Sequence, residues 1–314
     1  MALVTRYGTL LGMAPHVIGR TLWVAPSATY SIDGNVYEAS DSNDGLAPDR
    51  ALRRVNRAWA LAAAFDTIIL LPGAHLAANT AGTATSVAAT VANVTMTGLT
   101  GIKTNQFYKR TTLSVAAADQ TVNVTAAGIE IANIKFVGDA LNVGSAHVDF
   151  SAAAHGFYFH DNTVDVTAQT ANTGILGVDS LGAAQYVVVQ DNVFYTDGAF
   201  GAMIDMTATL DSLVSRNKFV HVTGTLAAAI SVGAATDRLE IEGNVFNDGA
   251  GTITAGVDGT GATIANGVAI HDNRFGVTVT VPIDNFDAAE AQISENYDFG
   301  VGATDGGILV VAIT

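Results

Sequence analysis

The sequence predicts an all-β fold, a right-handed parallel β-helix: a solenoid with an N-terminal capping α-helix and an N-terminal extended arm. Three observations predict it: an Asn-marked apolar motif recurs through the second half, a single segment has strong helical periodicity, and turn-forming Gly is abundant while Pro is rare. The chain has 314 residues with 32 Gly and 5 Pro. Apolar residues make up 49% and charged residues 14%, well below the charged share of roughly 25% usual in soluble domains. Such a chain has ample core material, and disorder is not expected.

The repeat comes first, because internal periodicity decides the architecture. Its copies read GIEIANIKF, GFYFHDNTV, YVVVQDNVF, SLVSRNKF, RLEIEGNVF, GVAIHDNRF and AQISENYDF. Their marker residues are Asn133, Asn162, Asn192, Asn217, Asn244, Asn273 and Asn296, spaced by 29, 30, 25, 27, 29 and 23 residues. Phe159, Val189, Val214, Ile241, Ile270 and Ile293 stand three before the marker, and Val164, Phe194, Phe219, Phe246 and Phe275 two after it. The first copy is shifted by one, with Phe136 three after Asn133, and Asp298 ends the apolar series.

Alternating apolar residues before the marker describe a strand buried on one face. A bend must follow within two residues, and Asn tolerates the left-handed conformation that such a bend needs. Stacking at about 4.8 Å would set Asn over Asn and apolar over apolar, as a turn ladder and a core ladder. Further short strands, such as HVDFS, GILGVDS, AMIDM, AAISV and ITAGVD, supply another wall. A wound α/β sheet would need alternating helices, which are missing. An antiparallel sandwich would not keep an Asn at constant phase.

The helical segment is 48–65, with Leu52, Val55, Trp59 and Ala62 on one stripe beside Ala51, Ala58 and Phe65. Pro48 suits its first turn, and Arg50, Arg53, Arg54 and Arg57 fill the other face. The reading divides the chain into an arm, 1–37, and a coil, 38–314. The arm contributes Arg6, Tyr7, Leu10, Leu11, Arg20 and Trp23 without periodicity. Together with Arg53, Arg54 and Arg57 these are the candidate attachment residues.

The stretch DSNDGLAPDRALRRVNRAWALAAAFDTIILLPGAH (41–75) resembles the N-terminal cap of pectate-lyase-like β-helix proteins, which are common among bacteriophage tailspikes and other virion proteins. With the coils downstream, the resemblance spans roughly 38–300. It implies the fold far more specifically than the activity, since lyases, hydrolases, adhesins and inert structural parts share this architecture.

Charge is polarised. Residues 1–110 hold nine Lys/Arg and six Asp/Glu (+3), and 111–314 hold five and twenty-three (−18), summing to −15. A basic end could sit on an acidic partner while the acidic body repels its neighbours. No basic stripe with interleaved aromatics points to nucleic acid. No apolar run is long enough to cross a membrane, and MALVTRYGTLLGMAPHVIG lacks the apolar stretch of a secretory leader. Without Cys there are no disulfides or thiolate sites.

Chemistry is sparse. Asp149, Asp179 and Asp205 recur 16, 17 and 13 residues after their markers and would form a carboxylate cluster if they stack outward; two such acids could hydrolyse a glycoside. A lyase would want a base, but the coil cations Lys135, Arg216, Lys218, Arg238 and Arg274 do not fall beside them. His147, His155, His160, His221 and His271 show no metal-ligand spacing, and no cofactor or metal is expected. The leading expectation is a structural virion protein of a tailed bacteriophage, a capsid decoration or cement protein made in the host cytoplasm. It would dock on the major capsid protein through its arm, with a homotrimer among the possible states. The alternative is a tailspike or related enzyme that binds and cleaves a polysaccharide.

Overall fold

The computed structural model describes residues 19–32, 34–76, 86–99, 111–114, 121–138, 146–168, 171–233, 235–246, 249–259, 267–286, 291–299 and 307–308. It is a parallel β-solenoid, in which three long sheets form three walls. Parallel crossovers of this kind are right-handed by the general rule.

Wall one holds ten strands, from Thr21–Val24 and Thr67–Leu70 through Tyr158–His160 and Asp237–Glu242 to Ala291–Ser294. Wall two also has ten, from Ala74–Leu76 through Lys135–Val137 and Lys218–His221 to Tyr297–Asp298, where Gly307–Ile308 adds an antiparallel edge. Wall three has eight, from Val87–Ala89 to Val279–Asp284. Each rung pairs only with its neighbours, as expected of a solenoid.

The core is a set of stacks. Phe194, Phe219, Phe246 and Phe275 lie ring on ring, with centroids 5.1, 5.0 and 4.7 Å apart and planes within 10°. Strand register enforces this spacing: Phe194 faces Phe219, which faces Phe246, which faces Phe275. Wall three makes room for the rings. A Cβ on Gly256 would lie 2.4 Å from the Phe275 ring and 2.6 Å from the Pro282 carbonyl oxygen.

The turn between walls one and two corrects the expected role of Asn. The left-handed residue is the one before the marker: Asp161, Asp191, Arg216, Gly243, Asp272 and Glu295 all have φ between 51° and 62°. This frees the Asn side chain to point inward, where Asn162, Asn192, Asn217, Asn244, Asn273 and Asn296 are at most 1% exposed. Each Oδ1 accepts the backbone N–H of the residue one rung earlier at 2.9–3.0 Å. Each Nδ2 donates to a wall-one carbonyl of that rung at 2.8–2.9 Å. The ladder closes the bend and satisfies backbone groups that burial would leave unpaired. Asn133 is not part of it. It takes the left-handed position itself, with φ 58°, and Ile134 holds the ladder place. The one-residue shift of the first copy has this origin.

Both N-terminal boundaries also change. The coil starts at Thr21, not at 38, since Thr21–Val24 pairs in parallel with Thr67–Leu70. Thr29–Ile32 and Asn35–Glu38 form an antiparallel hairpin, and its Tyr30 and Ile32 cluster with Trp23, Ile69 and Leu71. The helix expected over 48–65 is a 3-10 turn at Pro48–Arg50 and one α-helix, α1, at Val55–Leu61. The interruption has a backbone cause: the Leu52 N–H donates to the Trp23 carbonyl, and the Leu52 carbonyl accepts from Ala25. Residue 52 therefore extends the first wall. Val55, Ala58 and Trp59 still bury the predicted stripe of α1, while Phe65 is exposed at φ 72°.

Candidate functional site: a carboxylate column on wall three

Wall three brings Asp149, Asp179 and Asp205 together. Asn123 faces Asp149, and Asp149 faces Asp179. Val178 faces Ile204, and the residues that follow them, Asp179 and Asp205, hydrogen-bond to each other. The column continues from Asp205 to Ser231, Asp258 and Asp284. Each member follows a core residue, Val122, Val148, Val178, Ile204, Ile230, Val257 or Ile283. Period-two alternation therefore turns the carboxylates to the outer face.

The sequence reading missed Asn123, Ser231, Asp258 and Asp284. The available signal was the recurring dipeptide of a β-branched residue and Asp, rather than distance from the Asn marker. Distances from the marker vary because corner lengths vary.

The pair at the centre has split protonation. Burial raises Asp179, and the adjacent Asp205 charge and hydrogen bond raise it further, to about 6. Burial also raises Asp205, but Thr207 opposes it: its backbone N–H donates to Asp205 Oδ1 at 2.8 Å, and its hydroxyl donates to the same oxygen. Asp179 is thus the member that keeps its proton up to about pH 6, while Thr207 holds Asp205 toward the ionised form. No cation contributes to either shift.

Elsewhere carboxylates meet cations. Arg216 is bidentate to Asp191 at 2.8 and 2.9 Å, Arg238 meets Asp211 at 2.5 Å, and Lys135 meets Asp165 at 2.7 Å. These pairs lie on the first turn, wall one and wall two.

His160 and His271, two of the histidines without metal-ligand spacing in the sequence, are clasps on wall one. His160 Nε2 lies 2.8 Å from Glu130 Oε1, and its Nδ1 lies 2.8 Å from Asp161 Oδ2. Burial works against its charge, but the two carboxylates prevail and raise it to about 9. His147 and His221 face inward, bonded to Thr121 and Thr196 at 2.8 and 2.7 Å; burial holds His147 near 4.

The expected attachment residues divide into two groups. Arg6, Tyr7, Leu10 and Leu11 lie outside the described residues. The others are engaged by their own chain. Arg20 grips Asp66 at 2.7 Å and the Leu61 carbonyl at 2.9 Å, and Trp23 is 5% exposed. Arg53 donates to the Pro26 carbonyl at 3.1 Å, Arg54 pairs with Asp41 at 3.1 Å, and Arg57 donates to the Asp41 carbonyl at 3.3 Å. They staple the capped end of the coil.

No family model matches the chain, and no curated protein matches it. Among solved structures, that of pectate lyase Pel9A aligns with 88% of this chain and 78% of its own, at 12% identity and a TM-score of 0.38. The parallel β-solenoid assignment stands on the chain's own strand pairing, wall by wall.

Proposed function

We propose that wall three is a polysaccharide-binding face on which Asp179 and Asp205 hydrolyse a glycosidic bond. The observation that carries this reading is the in-register carboxylate column, with a hydrogen-bonded pair at its centre that no cation neutralises. Stacked half-buried carboxylates cost stability, and the fold sets Asp165, Asp191 and Asp211 beside cations elsewhere, so a column kept at such a cost points to function.

Glycoside hydrolysis needs one neutral acid and one ionised carboxylate. Asp179 protonates the glycosidic oxygen as its bond to the anomeric carbon breaks, and Asp205 forms a bond to that carbon. Water, deprotonated by Asp179, then displaces Asp205 and regenerates both groups. Neighbouring rungs are about 4.8 Å apart, nearer the roughly 5–5.5 Å carboxyl separation of retaining enzymes than the roughly 6.5–9.5 Å of inverting ones, so retention of the anomeric configuration is expected once substrate parts the hydrogen bond of the pair. Elimination is disfavoured among the described residues, where Lys135, Lys218 and Arg274 stand on wall two, Arg238 on wall one and Arg216 at the turn between them. The acidic body selects a neutral rather than an anionic glycan.

The test is incubation with a panel of bacterial surface glycans and pectin. Reducing ends without unsaturated ends are expected, and their release should disappear in both Asp179→Asn and Asp205→Asn. Release that persists in Asp205→Asn, or no release from any glycan, overturns the reading.

A second reading, a structural virion component docked on the major capsid protein, is favoured by the charge polarity of +3 against −18. On this reading docking would fall to residues 1–18, since Arg20 and Trp23 are engaged by the coil. Deleting 1–18 should abolish particle binding and leave the circular dichroism of the coil unchanged. Undiminished binding refutes it. A virion-borne spike would satisfy both readings.

A further inference from the structure

Wall one carries a second cluster, on a different wall from the carboxylate column. Glu240 and Glu242 are two apart on the strand Asp237–Glu242, so both face outward. Glu242 is the register partner of His271 in the next rung. His271 Nε2 lies 2.9 Å from Glu240 Oε1. One ligand atom from each of Glu240, Glu242 and His271 lies within 4.8 Å of the others. Bonds of about 2.0–2.2 Å to one ion hold ligand atoms at most about 4.4 Å apart, so small side-chain rotations close the set.

A separate feature of His271 matches metal ligation. Its other ring nitrogen, Nδ1, is 2.9 Å from Asp272 Oδ2. A carboxylate on the far nitrogen is the usual device that fixes tautomer and ring direction in a metal-bound His. It leaves Nε2 aimed at the two glutamates.

The fold contains its own control. His160 repeats the clasp with Glu130 and Asp161, but the place of Glu242 is taken by Ala132, the register partner of His160. There Thr95 donates to Glu130 at 2.9 Å, and the two carboxylates of Glu130 and Asp161 suffice for the clasp. At His271 a further carboxylate is added. Arg216, whose charge Glu242 feels, is already bidentate to Asp191. The clasp alone does not require that extra negative charge, whereas a divalent ion does.

We infer that Glu240, Glu242 and His271 bind a divalent transition-metal ion of the zinc class on the outer face of wall one, with Asp272 orienting the histidine. The mixed imidazole and carboxylate set favours zinc-like ions over calcium and magnesium. With Glu240 50% and His271 24% exposed, water completes the coordination.

Calorimetric titration of the full chain with zinc chloride tests this. One saturable site is expected, with calcium chloride binding at least about tenfold more weakly. Glu242→Ala recreates the arrangement that the chain already folds around His160, and should weaken zinc at least about tenfold. Asp272→Asn should cost about 10–100-fold while leaving the three ligands in place. Absence of a saturable site overturns the inference. Zinc binding unchanged in both Glu242→Ala and His271→Gln does so equally, and identifies an adventitious ion only.

Discussion

Replacing Asp179 with Asn should make the protein more stable, and increasingly so as pH rises. The folded chain holds Asp179 at about 6 against an ordinary value of 3.8. Its proton therefore favours the fold: that stabilisation is complete below the unfolded value and is lost as pH rises through 6. A difference of two units is worth about 3 kcal/mol. At pH 8 the ionised wild-type residue carries that whole penalty, and at pH 5 it carries roughly half. Asn has the same shape, donates to Asp205 as the protonated acid does, and carries no charge. Urea unfolding of both proteins at pH 5 and pH 8 measures the difference. A gain of roughly 1.5 kcal/mol at pH 5, growing to roughly 3 kcal/mol at pH 8, is expected. An Asn variant no more stable than wild type at pH 8, or a gain that does not grow with pH, refutes the account of the column. If the glycosidase reading holds, the same variant gains stability as it loses turnover, the trade expected where a strained group is kept for function.

Other perturbations separate the parts of the coil. Asn217→Gly removes the acceptor of the Asn192 N–H and the donor to the Val189 carbonyl. It should cost about 2–6 kcal/mol in chemical denaturation, at about 1–3 kcal/mol for each of the two buried groups left unpaired. Asn133→Gly keeps the left-handed position that Asn133 occupies, and should change stability by less than about 1 kcal/mol. The His160 clasp is raised to about 9, so it stabilises fully below the unfolded value near 6.5 and is lost as pH rises through 9. His160→Gln should therefore lower stability at pH 7 and leave it little changed at pH 10, with the imidazole titration followed by NMR. A ring that titrates near 6.5 overturns that picture.

Sequence alone determined what depends on local chemistry. Alternation of apolar residues fixed which side chains enter the core, so Phe159, Val189, Phe219 and Ile270 were legible, as was the existence of the turn. The neighbourhood of Asn mattered more than its preferred backbone conformation. Asn133 and Asn217 look alike in sequence, yet one takes the left-handed bend and the other hands it to Arg216 and feeds a ladder. Which role each plays depends on what the adjacent rung offers for hydrogen bonding. Leu52 shows the same competition, since a helical stripe gave way to the backbone pairing available at Trp23.

Only the tertiary structure decided which residues meet across rungs. Corners of unequal length separate markers by 23 to 30 residues, so offset along the chain does not reveal register. Asp149, Asp179 and Asp205 could be nominated from sequence, but their common column, its extension to Asp284 and the shared proton needed strand pairing. Glu242 and His271 were invisible as a pair for the same reason. A strand's inner face is set by its own alternation, a property of a few consecutive residues. Its neighbours on the outer face are set by the length of everything in between.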